Sequence, residues 1–551
     1  MRIAVATLAA ALAMTLWGAA PAQAAAPARS ADEPVAQTTP WRTSDDIIDG
    51  WDWSLPPGLK PVPRSGVSFG GKGKIPGNHL VVLAWPWLKI EREEGVYDFE
   101  PLREKIREAA RNCDGVILSV RAAVWEMTGQ LGARGNAAES SAPRWLVEKY
   151  NVPIIDEKPM ANVASPFQIR NLDMTHPKYR ERYLKFIEAF GASGIPQMPE
   201  VKFAYMHNRS SSRGEEGRVP DGTPLADAMQ QYLDVWAKAY KGVECKLAYV
   251  ESSGGLLKHA YDLGMGQRNG FVEVYMGQCT NPALGQRVDE DGYLVVDETC
   301  PPIAENRAFG DENEEYTPFF IPRFGPAETW PHRYRESMLR VLQMRRNFVW
   351  AEPTPSVDPP LLAYVSLELG RSVRDAPDAW CYLRESQVRV DGKVRPVKNF
   401  ERWLYQRDRD GARAAATCKV DHPIAPVLVS PGAPKDLQYD LVARRTDVAS
   451  GNSRIGFALD DRFLSGGPHK VAVKVTFRDT GNARWALAVK TPRGEAIKTV
   501  ACGDTGAVRT ATFFIPAAAF PAKGLDFDFE IRAAQGDATI SLVRIIRLDL
   551  R

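Results

Sequence analysis

The chain has 551 residues, with 70 Lys+Arg against 68 Asp+Glu and a formal net charge of +2. Hydrophobic residues make up 44% and charged residues 25%, which excludes a disordered, collagen-like or small disulfide-stapled protein. No basic excess stands behind a nucleic-acid partner, and 14 Trp, 17 Tyr and 21 Phe direct attention to aromatic surfaces instead.

The first residues read as a targeting segment. Arg2 precedes the apolar run Ile3 to Gly18, broken only by Thr7 and Thr15, and Ala22-Gln23-Ala24 follows as a small-residue cleavage site. This predicts a signal peptide over residues 1–24 and a secreted or periplasmic mature protein. The run is short for a membrane span, which needs about 20 apolar residues, and no later stretch supplies one. Residues 25–50, opening rich in Ala, Pro, Thr and Ser, predict a flexible leader. In an oxidising compartment Cys279 and Cys300 are the first candidate disulfide and Cys381 with Cys418 the second. No CxxC occurs and no His stands at zinc-ligand spacing, so a Cys-based metal site is not expected; acidic loops such as Asp289-Glu290-Asp291 leave a structural Ca²⁺ open, and no cofactor is expected.

Residues 51–355 alternate short apolar runs with helical ones. Leu80–Ala84 predicts a strand and Glu100–Arg111 a helix. Gly115–Val120 is strand-like and Pro143–Tyr150 starts a helix. Pro177–Phe190 is helical, with Tyr179, Tyr183, Phe186, Ile187 and Phe190 on one stripe. Then come Val201–Met206 (strand), Pro224–Tyr240 (helix), Leu247–Val250 (strand), Leu256–Leu263 (helix), Gly270–Tyr275 (strand), His332–Arg346 (helix) and Phe348–Trp350 (strand). Such alternation predicts a parallel sheet, and its length suits a (β/α)₈ TIM barrel. A doubly wound sheet would place a Gly-rich turn after its first strand. Here Gly70-Gly71-Lys72-Gly73-Lys74 precedes the first clear strand and reads as a loop. The G-x-S-x-G string Gly66–Gly70 is read as part of that loop, without the context of a nucleophile elbow.

Residues 356–435 predict a linking segment, with strand candidates at Leu361–Leu369 and Phe400–Gln406. From 436 to 551 the runs Tyr439–Ala443, Val471–Phe477, Trp485–Val489, Thr510–Ile515, Phe527–Arg532 and Thr539–Leu548 are separated by turn residues. They predict an all-β, jelly-roll-like sandwich, a candidate carbohydrate-binding unit. The predicted fold class is therefore α/β, a TIM barrel followed by a C-terminal β-sandwich.

A barrel's reactive groups sit at the C-terminal ends of its strands. The first such place is Trp85-Pro86-Trp87, followed by Glu94-Gly95-Val96-Tyr97-Asp98-Phe99 leading into a helix. This pattern resembles the first βα units of the β-galactosidase-like, clan-A retaining glycoside hydrolases, and the likeness runs over roughly 78–355. The resemblance implies a structural turn at Glu94–Phe99 and a Trp near the sugar site. It also implies an acid/base Glu ending the fourth strand, directly behind an Asn. Here Asn208 is followed by Arg209; the nearest downstream carboxylates are Glu215 and Glu216, and the role goes to Glu215, with Glu216 second. The family's nucleophile ends the seventh strand, which points to Glu312, with Glu315 second, in the run Ala308–Tyr316.

Further candidates for contact with sugar are Trp85, Trp87, Arg121, Trp125, His207, Asn208, Glu251, Tyr275 and Trp350, all near predicted strand ends. The expected function is a secreted, cofactor-free glycoside hydrolase acting on a polysaccharide or oligosaccharide by a retaining two-carboxylate mechanism. The alternative is a non-catalytic carbohydrate-binding or cell-surface protein on the same scaffold. A polysaccharide lyase would instead use His207 or Tyr275 as base.

Overall fold

The structure, a computed structural model, describes residues 38–69, 75–128, 140–157, 168–208, 210–211, 214–215, 219–250, 255–271, 286–313, 330–351, 358–390, 393–419, 441–521 and 527–549. The expected signal peptide and most of the leader lie outside them, as do Cys279, Glu251, Tyr275 and Glu315.

Eight parallel strands close into a barrel in chain order. They are β1 (Gly66–Phe69), β2 (His79–Pro86), β3 (Gly115–Arg121), β4 (Val201–His207), β5 (Leu247–Tyr249), β6 (Gly266–Phe271), β7 (Phe309–Asn313) and β8 (Phe348–Ala351), with β8 pairing back onto β1. Alternation along each strand sorts side chains to two sides. Val116, Leu118 and Val120 of β3 join the core under the outer helices, whereas Ile117 packs inside with Leu80, Phe203, Tyr205, Ala248, Val250, Ala308 and Phe348. The Phe203 and Phe348 rings meet 4.6 Å apart across the floor.

The outer helices follow from local chemistry. Pro177 opens helix Pro177–Ala192, whose buried stripe is Tyr179, Tyr183, Phe186, Ile187 and Phe190. Thr223 caps helix Pro224–Ala239 by accepting from Ala226 N at 3.2 Å. The turn at Glu94–Phe99 is structural: Gly95 has φ +81°, and Glu94 accepts from Tyr150 Oη at 2.7 Å.

Barrel closure between β6 and β7 demands glycine. A Cβ on Gly266 would lie 1.7 Å from the Ala308 carbonyl oxygen, and backbone cannot yield as a side chain would. Gly266→Ala is expected to cost about 3 kcal/mol or more. Urea denaturation checks this; an unchanged midpoint would show that the strands separate freely.

The rest of the chain is antiparallel. An eight-stranded sheet runs Asp46–Asp49, Val508–Phe520, Gly466–Arg478, Thr539–Arg547, Asp378–Val390, Leu441–Arg445, Ala415–Lys419, and Lys393–Arg402 also pairs with Asp378–Val390. A five-stranded sheet runs Leu404–Gln406, Arg454–Leu459, Phe529–Gln535, Arg484–Thr491, Gly494–Ala501. Val473, Val475, Trp485, Leu487, Phe457 and Ile545 belong to the core they share. The fold is a TIM barrel followed by a β-sandwich.

Five expectations change. Gly66–Phe69, expected as loop, is barrel strand β1; its Gly-rich flank hides a short strand buried on both faces. Leu361–Leu369, expected as a strand, lies in helix Pro359–Glu368, capped by Asp358 and started by two prolines. All eight residues from Leu361 to Glu368 are buried, so no amphipathic period survives to mark it. The expected linking segment 356–435 holds that helix and four sheet strands, and the expected leader supplies the edge strand Asp46–Asp49. Cys381 is a free, buried thiol, which removes the pair with Cys418.

Sandwich and barrel share a core. Trp380, Tyr382, Phe400 and Leu542 of the larger sheet pack with Val67, Met338, Leu342, Leu361 and Val365. Buried ion pairs stitch this seam: Arg544–Asp378 at 2.7 Å, Arg402–Glu368 at 2.7 Å, Arg384–Glu336 at 2.9 Å, and Lys474–Asp52. Arg544 also donates to the carbonyls of Asp52 (2.7 Å) and Ser54 (3.1 Å). Burial pushes the Lys474 ammonium down to about 8, with Asp52 pulling the other way. Burial alone would raise the Asp52 carboxyl, but Lys474 and Ser54 outweigh it and hold it below the usual range. Among the described residues no helix is long and apolar enough to cross a membrane.

Candidate functional site

The strands run parallel, so their C-terminal ends share one mouth. Parity decides which side chains reach it. In β3, Ser119 and Arg121 continue the inward face of Ile117. In β7, Glu312 continues that of Ala308, and in β8 Trp350 continues that of Phe348. Ser68 of β1 lies in register with both Trp350 and Leu80.

The centre of this lumen is a buried ion pair. Arg268 of β6 contacts the Glu312 carboxylate directly, and the two residues are only 2% and 7% exposed. The guanidinium carbon stands 4.7 Å from the Tyr205 ring centroid and 5.8 Å from that of Trp350. Two aromatic rings thus flank the guanidinium, and cation–π attraction holds the arginine against the carboxylate. A positive charge at contact distance favours the ionised carboxylate. Asp311, the neighbour of Glu312, points outward and pairs with Arg346 at 2.8 Å.

The structure brings Glu312, Arg121 and Trp350 onto the inner face. Trp85 falls on the outward phase of β2 and packs, half-buried, against the helix-side core. Trp87 is fully buried there among Trp145, Tyr179, Tyr183 and Phe186, its Nε1 donating to Glu91 at 2.7 Å. Asn208 is also fully buried, accepting from Tyr183 Oη at 2.5 Å, and so belongs to the helix layer. Trp125 is half-buried beyond β3, with the Arg144 guanidinium carbon 4.3 Å from its ring centroid. His207 ends β4 in register with Arg121. Glu215 lies in a two-strand ladder, Ser210–Ser211 against Gly214–Glu215, just after β4. The side chains of His207 and Glu215 are outside the described residues, as are Glu251, Tyr275 and Glu315.

Sequence reasoning missed Arg268, Tyr205, Ser119 and Ser68. The available signal was polarity inside a strand: Gln267-Arg268-Asn269 interrupts an apolar environment where only a lumen could receive charge. Among the described residues no group of three His, Cys, Asp or Glu could hold a metal ion.

No family model matches the chain, and no curated protein matches it. Among solved structures it is similar to a family 39 glycoside hydrolase from Bacteroides cellulosilyticus WH2 (9% identity, 84% of this chain and 83% of that one, TM-score 0.30). It is also similar to a GH27 β-L-arabinopyranosidase from Geobacillus stearothermophilus (9% identity, 81% and 89%, TM-score 0.28). The match with a β-galactosidase from Rahnella sp. R3 spans 37% of each chain at 14% identity and TM-score 0.22. Likenesses this distant carry no argument about activity.

Proposed function

We propose that this chain is a secreted glycoside hydrolase that cleaves a polysaccharide or oligosaccharide with retention of anomeric configuration. One observation carries the reading: Glu312, at the end of the seventh barrel strand, is a carboxylate buried in an aromatic lumen against Arg268. In this mechanism Glu312 attacks the anomeric carbon while a second carboxyl, assigned to Glu215, protonates the leaving oxygen. Glu215 then deprotonates the water that releases the glycosyl group. Such a pair stands about 5–5.5 Å apart. Trp350, partly exposed at the end of the eighth strand, offers an apolar face on which a sugar ring stacks, and no cofactor takes part. The sandwich either buttresses the barrel or binds glycan alongside it.

The test is a panel of aryl glycosides and oligosaccharides, with NMR of the first anomer released. A retained anomer is expected; inversion would remove the double displacement. A carbohydrate-binding protein without turnover is the second reading. The direct Arg268 contact favours it, because a carboxylate neutralised by a buried cation is a weaker nucleophile. Binding without release of any product would select it.

Arg268 has its own expected signature. Without the guanidinium, the ionised form of Glu312 loses its stabilising charge and the carboxyl pKa rises. In Arg268→Met the acid limb of kcat/KM should therefore move to higher pH. An unmoved acid limb in the pH–rate profile would show that Arg268 does not set the charge of Glu312.

A further inference from the structure

Among the described residues, the lumen holds a charge that no carboxylate answers. Arg268 is spent on Glu312. Arg121, on the same inner face and at the mouth end of β3, has no ion-pair partner among the described residues, and its buried Nε lacks a hydrogen-bond acceptor. Two residues deeper, Ser119 is fully buried with its Oγ likewise unpartnered. Unsatisfied polar groups inside a barrel are costly and are retained where a ligand completes them. A neutral sugar would supply acceptors but leave the guanidinium uncompensated. A planar carboxylate or a sulfate matches the guanidinium fork and offers an oxygen to the serine hydroxyl.

We propose that the barrel mouth binds a sugar carrying an anionic group, a carboxylate or a sulfate ester, through Arg121 and Ser119. This deepens the glycosidase reading and rests on it for the location of the sugar. It departs from what the even overall charge suggests, because a single lumen cation is invisible in a total of 70 against 68.

The test uses the full chain and four probes, D-glucuronate, D-galactose 6-sulfate, D-glucose and D-galactose, titrated calorimetrically at low and high salt. At least one anionic sugar should bind about tenfold or more tightly than both neutral ones, with the advantage shrinking as salt rises. The carboxylate and sulfate arms separate the two sources of charge. Arg121→Met should erase the preference, and Arg121→Lys should keep part of it. Equal binding of charged and neutral sugars by the unmodified chain overturns the proposal. So does a preference that survives Arg121→Met. Should Arg121→Met fail to fold, the salt dependence of the unmodified chain decides: a preference indifferent to salt overturns the proposal. The matching 4-nitrophenyl glycosides distinguish the two failures. Arg121-dependent binding without hydrolysis leaves the anion site standing and removes the glycosidase reading. Hydrolysis of neutral glycosides without charge preference does the reverse.

Discussion

Replacing Glu312 with Gln should lower kcat on the order of 10⁴-fold, the scale of removing a nucleophile that acts as part of a unit. The amide matches the carboxylate in shape and still accepts a hydrogen bond from Arg268, but it cannot attack the anomeric carbon. Because the substitution also strips a buried cation of its counter-charge, a stability cost of about 3 kcal/mol accompanies it. Both effects come from one contact and are read separately, kcat under saturating substrate and stability by chemical denaturation. If the folded variant turns over within tenfold of the parent, Glu312 is no nucleophile. Combining Glu312→Gln with Arg268→Met should recover much of the stability and none of the activity.

The second large effect lies far from the mouth. Arg544→Ala is expected to cost about 3–5 kcal/mol, because it leaves Asp378 buried without its cation. The same guanidinium satisfies the carbonyls of Asp52 and Ser54, so three segments lose their common anchor. Tyr364 of the barrel-side helix donates to Asp378 at 3.1 Å and keeps only part of the site in order. Calorimetry on the parent should show one cooperative transition, and the variant should split it into two. A variant that still melts in a single, unshifted step would mean the apolar seam alone couples the layers. Arg544→Met with Asp378→Leu should be far milder, since apolar replacement of a whole buried pair is often neutral.

Strands were legible where burial left largely apolar runs between amphipathic helices, as at Val201–Met206, broken only by Lys202, between the Tyr179–Phe190 stripe and the helix after Thr223. Legibility failed where burial erased period, as in Pro359–Glu368, and where glycine mimicked a loop, as at Gly66. The same holds for the site. Position along the chain singled out Glu312, but its partner comes from another strand, and ion pairs across a barrel have no spacing rule. Aromatic type marked Trp85, yet phase decides its direction: with Leu80 and Val82 facing inward, an odd step turns Trp85 to the helices. The buried Asn208 shows the limit of local motifs, since an amide at a strand end serves equally well as a clamp for Tyr183.

The strand Asp46–Asp49 closes one edge of the larger sheet by pairing with Val508–Phe520, and Arg509 reaches Asp49 at 3.0 Å across 460 residues of chain. The whole barrel is therefore inserted between two pieces of the sandwich. A ribosome, or a translocation pore passing the chain N-terminus first, delivers this strand early and its partner almost last. Until then the strand waits unpaired, and Arg509–Thr512 finds its cover only because that strand is already there when it emerges. A fragment beginning at residue 356 would carry that edge bare for good and should self-associate through it, so the C-terminal region is not a module that can be cut out and grafted elsewhere.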